Sequence, residues 1–147
     1  MIFNYIGNFT LFFCLLLSSI IFFTSILSLN NKNSFFIRNL NELLFFKFFF
    51  TLLSFFSLVI LFINSEFSNE TVLNNSHISK PLFYKISGTW GNHEGSLLLW
   101  LLILTFCAFF YFLKSKNRPL DERLLTIMFQ ELIIIGFLFF LLKASNP

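Results

Sequence analysis

Charged residues are scarce in this chain. Asp, Glu, Lys and Arg make up 12% of its 147 residues and apolar types 56%, whereas soluble domains run near ~25% charged and ~45–50% apolar. There is too little polar surface to face water all round, so a soluble globular enzyme is excluded. Cysteine is nearly absent. Cys14 and Cys107 both fall in apolar runs, without CxxC or zinc spacing, which leaves two buried, inert thiols and no metal site. The two histidines, His77 and His93, are sixteen residues apart, too far for an HExxH pair. The five glycines form no phosphate-cradling loop, and no GxSxG or Ser/His/Asp set can be assembled. Ten basic residues against seven acidic give a net charge of +3. No basic patch interleaved with aromatics is available to track phosphates, so nucleic acid is not an expected partner.

What the chain does have is long apolar runs. A membrane span needs about 20 mostly apolar residues, and four candidates are present: about 5–29, 44–63, 95–113 and 124–142. The first is far longer than a signal-peptide core and no small-residue cleavage site follows it, so it reads as a retained helix. Lys47 falls near the first turn of the second, where its side chain is expected to snorkel to the headgroups. The fourth carries Gln130 and Glu131. Backbone amides in hydrocarbon must be satisfied within the segment. The expected fold is therefore all-α: a single polytopic membrane domain over residues 1–147 with about four transmembrane helices.

Basic loops stay on the cytoplasmic or matrix side. The segment from Asn30 to Lys47 holds Lys32, Arg38 and Lys47, and that from Lys114 to Arg123 holds Lys114, Lys116, Arg118 and Arg123. The loop 64–94 has only Lys80 and Lys85, and the C-terminal end Lys143. The N-terminus, the loop 64–94 and the C-terminus are thus expected on the outer side, in a periplasm or intermembrane space.

The informative stretch is Lys80–Trp100, KPLFYKISGTWGNHEGSLLLW. Tyr and Trp at such a junction anchor a helix at headgroup level. Pro81 holds Lys80 extended, and Leu82, Phe83 and Tyr84 form an apolar run able to lie along the membrane surface. Asn92 or Ser96 is expected to cap the helix that follows, with Glu94 favoured near its positive end. A functional reading stands beside this. Glycines at 91 and 95 let a backbone or flat ligand approach closely, and imidazole and carboxylate offer a metal ligand, a propionate contact or a proton relay. Neighbouring helical residues diverge, so His93 and Glu94 are not expected to face the same partner.

WGNHEGSLLLW resembles the signature WGxHEGSLLLW of the large haem-lyase subunit of cytochrome c maturation, the CcmF family, and of its relatives in nitrite reductase maturation. Ile6-Gly7-Asn8, Asn64-Ser65-Glu66-Phe67, Asn74-Asn75-Ser76, Pro81-Leu82-Phe83-Tyr84-Lys85 and the closing Ala144-Ser145-Asn146-Pro147 are similar to the family's N-terminal region, in its order. The resemblance implies a component of a haem lyase that helps position haem and apocytochrome c for thioether attachment at the outer membrane face. Trp90, Gly91, Asn92, His93, Glu94, Gly95 and Ser96 then form the motif next to haem or substrate, with Gly91 and Gly95 shaping the turn.

Family members are much longer, and the Trp-rich haem-handling segment and haem-ligating histidines lie beyond the region matched. With only Trp90 and Trp100, the chain reads as the N-terminal piece of a split, mitochondrial-type protein, not catalytic alone. Its haem is then held mainly by a partner polypeptide carrying that segment. Apocytochrome c, a haem delivery protein and the lipid membrane are its other partners. The 26 Phe and the Phe, Ile, Leu and Asn bias fit an A+T-rich organelle genome. The implied location is the mitochondrial inner membrane, with a bacterial inner membrane as the alternative. Glu131 is expected to contact another subunit or to snorkel, a proton or haem-propionate role being the alternative. Two other classes are a small structural subunit of a respiratory or proton-translocating complex, for which size and Glu131 speak, and a scaffold remnant that has lost haem chemistry.

Overall fold

The computed structural model describes residues 2–31 and 34–144. Lys32 and the closing Ser145-Asn146-Pro147 lie outside them. Four helices are long and apolar enough to cross a membrane: α1 (Ile2–Asn31), α2 (Ser34–Asn64), α5 (His93–Lys114) and α6 (Leu120–Ala144). Their apolar stretches have mean hydropathies of 2.3 to 2.4, and the all-helical polytopic fold follows. Two short helices, α3 (Glu70–Asn75) and α4 (Leu82–Gly88), interrupt the segment between α2 and α5. A 3₁₀ turn at Ser115–Asn117 joins α5 to α6.

α1 packs on α2 and α6, and α5 packs on the same two helices. The bundle is therefore a ring, with α2 and α6 standing diagonally across its centre. One end carries the segment with α3 and α4, and is called here the looped end. The other carries the turn between α5 and α6.

α2 begins ten residues before the expected span start. Nothing in residues 34–44 breaks a helix, and Leu40 and Leu44, one turn apart, are buried among Ile21, Ala108, Phe112, Leu124 and Ile127. That burial extends the helix. Lys47 is consequently the fourteenth of 31 residues and sits mid-helix. In the same way α6 starts at Leu120, four residues before the expected span start, making Glu131 the twelfth of 25 and placing it near the middle of the helix.

The core has two large apolar levels and a small third cluster, Leu61, Phe62 and Val72, where α3 packs at the looped end. Toward the looped end lie Leu11, Cys14, Leu98, Leu101, Ile134 and Leu138, with Phe50 packed against them. Toward the turn end lies the Leu40 and Leu44 cluster. Between them each long helix contributes one fully buried polar residue. Ser18 falls between Cys14 and Ile21, Lys47 between Leu44 and Phe50, Thr105 between Leu101 and Ala108, and Glu131 between Ile127 and Ile134. All four are 1% exposed or less.

At the turn end, Arg123 of α6 donates from Nε to Ser115 Oγ at 3.0 Å and from Nη2 to Phe112 O at 2.9 Å, its guanidinium 4.1 Å from the Phe112 ring centroid. It thereby satisfies a carbonyl that the end of α5 leaves open. At the looped end, Asn69 Nδ2 donates to Asn4 Oδ1 at 2.8 Å and Lys85 Nζ to Ser65 Oγ at 2.6 Å. These bonds tie the start of α3 to α1, and α4 to the residues just after α2.

Candidate functional site at the joint between α4 and α5

The sequence Thr89-Trp90-Gly91-Asn92-His93-Glu94-Gly95 turns the chain from α4 into α5. Asn92 takes the extended backbone of an N-cap, φ −112° and ψ 169°, and its Oδ1 accepts from Gly95 N at 2.7 Å. Of the two capping residues considered, Asn92 is the one used; the Ser96 hydroxyl instead donates to His93 O at 2.9 Å. The other half of the Asn92 carboxamide faces backward. Its Nδ2 donates to Gly88 O at 2.9 Å and Thr89 O at 3.1 Å. One side chain thus satisfies orphan groups at the end of α4 and at the start of α5.

Gly95 is required by this joint. A Cβ on it would stand 1.6 Å from Thr89 O, an overlap with backbone that no rotamer relieves. The close approach that glycine permits is filled by the chain's own carbonyl. Gly91 is different: its nearest obstacle is Ser87 O at 3.4 Å, and neither glycine has a positive φ. Of the two glycines expected to shape the turn, only Gly95 does so by necessity.

The joint aims its polar residues apart. His93 is exposed and borders an open apolar groove of about 460 Å³ with Leu97, Ile133, Gly136, Phe137 and Phe140. Its ring meets that of Phe140 edge-on at 5.9 Å. Glu94 is half-buried and turns to a narrow cleft of about 50 Å³, where Asn4, Asn8, Ser54, Ser57 and Asn69 stand among leucines such as Leu11, Leu58 and Leu98. As helical geometry requires, the imidazole and carboxylate face different surroundings. Trp90 is 43% exposed beside them. On α4, Leu82, Phe83 and Tyr84 are all exposed.

Glu131 lies elsewhere. It neither snorkels nor reaches another subunit: its Oε1 accepts from Lys47 Nζ across the diagonal of the bundle, both side chains fully buried. Lys47 accordingly does not rise to the headgroups. Around it, Thr51 Oγ1 donates to Lys47 O at 2.8 Å, and Cys14 Sγ lies 3.6 Å from that carbonyl and 3.3 Å from Thr51 Oγ1; Cys14 is buried as expected, whereas Cys107 is exposed on the outer face of α5. Reading the spans singly missed this centre. Its signal was two lone charges of opposite sign in otherwise apolar helices, since a buried charge requires a partner.

No protein-family model matches the chain. It is 47% identical over 94 residues to the cytochrome c-type biogenesis protein CycK of Rhizobium meliloti, covering 64% of this chain and 14% of that protein. It is 38% identical over 95 residues to the cytochrome c-type biogenesis protein CcmF of Haemophilus influenzae, 65% of this chain and 15% of the relative. Escherichia coli CcmF is 41% identical over 96 residues, 64% and 14%. The chain thus spans about one seventh of the length of these relatives. Among solved structures, cytochrome c heme lyase CcmF superposes with a TM-score of 0.90, at 23% identity, over 99% of this chain and 24% of that one. The resemblance read from the sequence is borne out: the homologues of this chain are the CcmF and CycK cytochrome c-type biogenesis proteins, and its whole described fold is found within that of a CcmF.

Proposed function

We propose that the chain is a component of a cytochrome c-type biogenesis haem lyase, with the joint between α4 and α5 bordering the place where haem and apocytochrome c meet. The similarity to CycK, 47% over 94 residues, carries the reading. The joint supports it: Asn92 and Gly95 hold the backbone rigid while Trp90 and His93 are presented outward. A respiratory-complex subunit would give no reason for this construction.

The looped end is the outer side. Arg38, Lys114, Lys116, Arg118 and Arg123 gather at the other end, which the positive-inside rule assigns to the cytoplasm or matrix. The relatives are bacterial and the helices membrane-spanning, so an inner membrane is the setting. The organelle-like composition favours a mitochondrial one. The exposed Leu82, Phe83 and Tyr84 then lie at the outer headgroups.

The groove beside His93 fits one face of a flat apolar group: it offers one imidazole and a wall of Leu97, Ile133, Phe137 and Phe140. Its openness leaves the second face to another polypeptide, the partner carrying the Trp-rich segment. Haem, when bound, supplies the carbons to which thioether bonds form. His93 orients haem or the protein delivering it, without serving as permanent axial ligand. Glu94 lines its own cleft together with residues of α1 and α2, Asn4, Asn8, Ser54 and Ser57 among them.

Mild-detergent purification through a tag on this chain, with mass spectrometry and an absorption spectrum, tests the reading. A Trp-rich multi-span partner and a haem Soret band are expected. Recovery of respiratory-complex subunits alone would sink it. Replacing His93 with Ala lowers holocytochrome c yield while the assembly still co-purifies; an unchanged yield removes His93 from the site.

A further inference from the structure

The polar level between the two apolar clusters is incomplete in a particular way. Glu131 Oε2 and Ser18 Oγ are fully buried and have no hydrogen-bond partner among the described residues. Lys47 Nζ carries three donors, and its bond to Glu131 Oε1 engages one. Ser18 and Glu131 occupy the same level, on the neighbouring helices α1 and α6. A buried water needs two to four polar partners, and this level offers an acceptor, a hydroxyl and spare ammonium protons.

The level is also linked to one end of the bundle. On α2, Lys47, Thr51, Ser54 and Ser57 follow one another at steps of four, three and three, all buried, and so form a single polar line along the inner face. Ser54 Oγ donates to Gly7 O at 3.3 Å and Ser57 Oγ to Phe3 O at 2.8 Å. Each hydroxyl keeps its lone pairs free to accept. The line ends in the cleft beside Glu94, whose walls include Ser54 and Ser57 and whose 50 Å³ exceed the roughly 10–15 Å³ a water requires. Toward the turn end α1 carries buried polar residues of its own, Thr24, Ser25 and Ser28, and the hydroxyls of Thr24 and Ser25 both donate to Ile21 O of their own helix. There Ile21, Leu40, Leu44, Ala108, Phe112 and Ile127 close the bundle.

We infer that the Lys47–Glu131 pair is the inner end of a hydrated path that opens at the looped end beside Glu94, and that its ligand is water. Water bridges Ser18 Oγ and Glu131 Oε2 at the pair. The hydroxyls of Thr51, Ser54 and Ser57, whose own protons go to backbone carbonyls, accept from the waters through which exchange with the outer medium runs. Water then supplies the hydrogen bonds that the protein leaves open at the pair. This site is separate from the His93 groove, and its test does not depend on haem.

Cys14 is a natural reporter, since its thiol touches both Thr51 and the Lys47 carbonyl. The full chain carrying Cys107→Ser, in lipid nanodiscs, is moved into deuterated buffer. The S–H stretching band of Cys14, assigned with Cys14→Ser, is followed by infrared spectroscopy together with the amide II band. Loss of the S–H band within minutes while the helical amides stay protected is expected. A thiol that stays protonated for hours, or that exchanges only as fast as the amides, would overturn the inference. Ser54→Leu, which plugs the line, should slow thiol exchange on the order of tenfold or more, because only local opening then admits water. The double variant Lys47→Met/Glu131→Leu should dry the level and slow exchange likewise. If neither does so, the path does not run where it is placed here.

Discussion

The joint between α4 and α5 and the polar level in mid-bundle are both built from buried polar groups, yet they are held in opposite ways. In the joint every bond is local: Asn92 binds Gly95, Gly88 and Thr89, all within four residues. In the polar level the key contact joins residues 84 apart, on helices that face each other across the bundle. Local bonds fix a backbone shape whatever surrounds it. The diagonal pair exists only when α2 and α6 are both docked. The comparison teaches that the presentation of His93 depends on a few neighbours, whereas the pair depends on the whole bundle.

The sharpest way to break the comparison is at the pair. Removing one partner strands a buried charge, so Glu131→Leu or Lys47→Met alone should destabilise the bundle by about 3–5 kcal/mol. The double variant should recover most of that loss, since apolar replacement of a buried pair is often neutral or better. Denaturant unfolding of detergent-solubilised chain, followed by circular dichroism, checks both. Equal losses in the single and double variants would mean that the pair is not a coupled unit.

Gly95→Ala comes next. Its methyl overlaps Thr89 O, and overpacking of this kind costs about 1–3 kcal/mol, with α4 displaced from α5. Gly91→Ala should stay within about 0.5 kcal/mol, because its surroundings are ordinary contact. Proteolysis of the looped segment in the two variants reads the difference.

The smallest effect separates the two ends of one side chain. Asn92→Ala should cost about 1 kcal/mol or somewhat more through the lost cap. Asn92→Asp keeps an acceptor for Gly95 N and adds a charge favoured at a helix N-terminus, losing only the bonds back to α4. Its loss should be the smaller of the two, as measured by thermal unfolding. A larger loss in Asp would place the weight on the α4 carbonyls instead.

Much of the fold was legible. Four apolar runs separated by polar segments read directly as four helices, because hydrocarbon leaves the backbone no alternative. The start of α2 was not legible, since Asn39, Asn41 and Glu42 look like a loop until Leu40 and Leu44 are seen to be buried. Arg123 read as a topology signal, and its capping of α5 depends on how α6 folds back. The motif was found by its residues. Composition left open which of Asn92 and Ser96 caps and which way His93 and Glu94 face.

The sequence by itself determined the class of the molecule: its poverty in charge, its run lengths and the WGNHEGS motif dictated a helical membrane bundle resembling a haem-lyase subunit. Those properties are carried by single segments, whose helical state does not depend on neighbours. Only the tertiary structure decided that Lys47 and Glu131 meet and that Ser18 and Thr105 share their level. Each of these is a matter of which faces of separate elements come together. Register between helices is set by packing the whole core, and no window along the chain contains it.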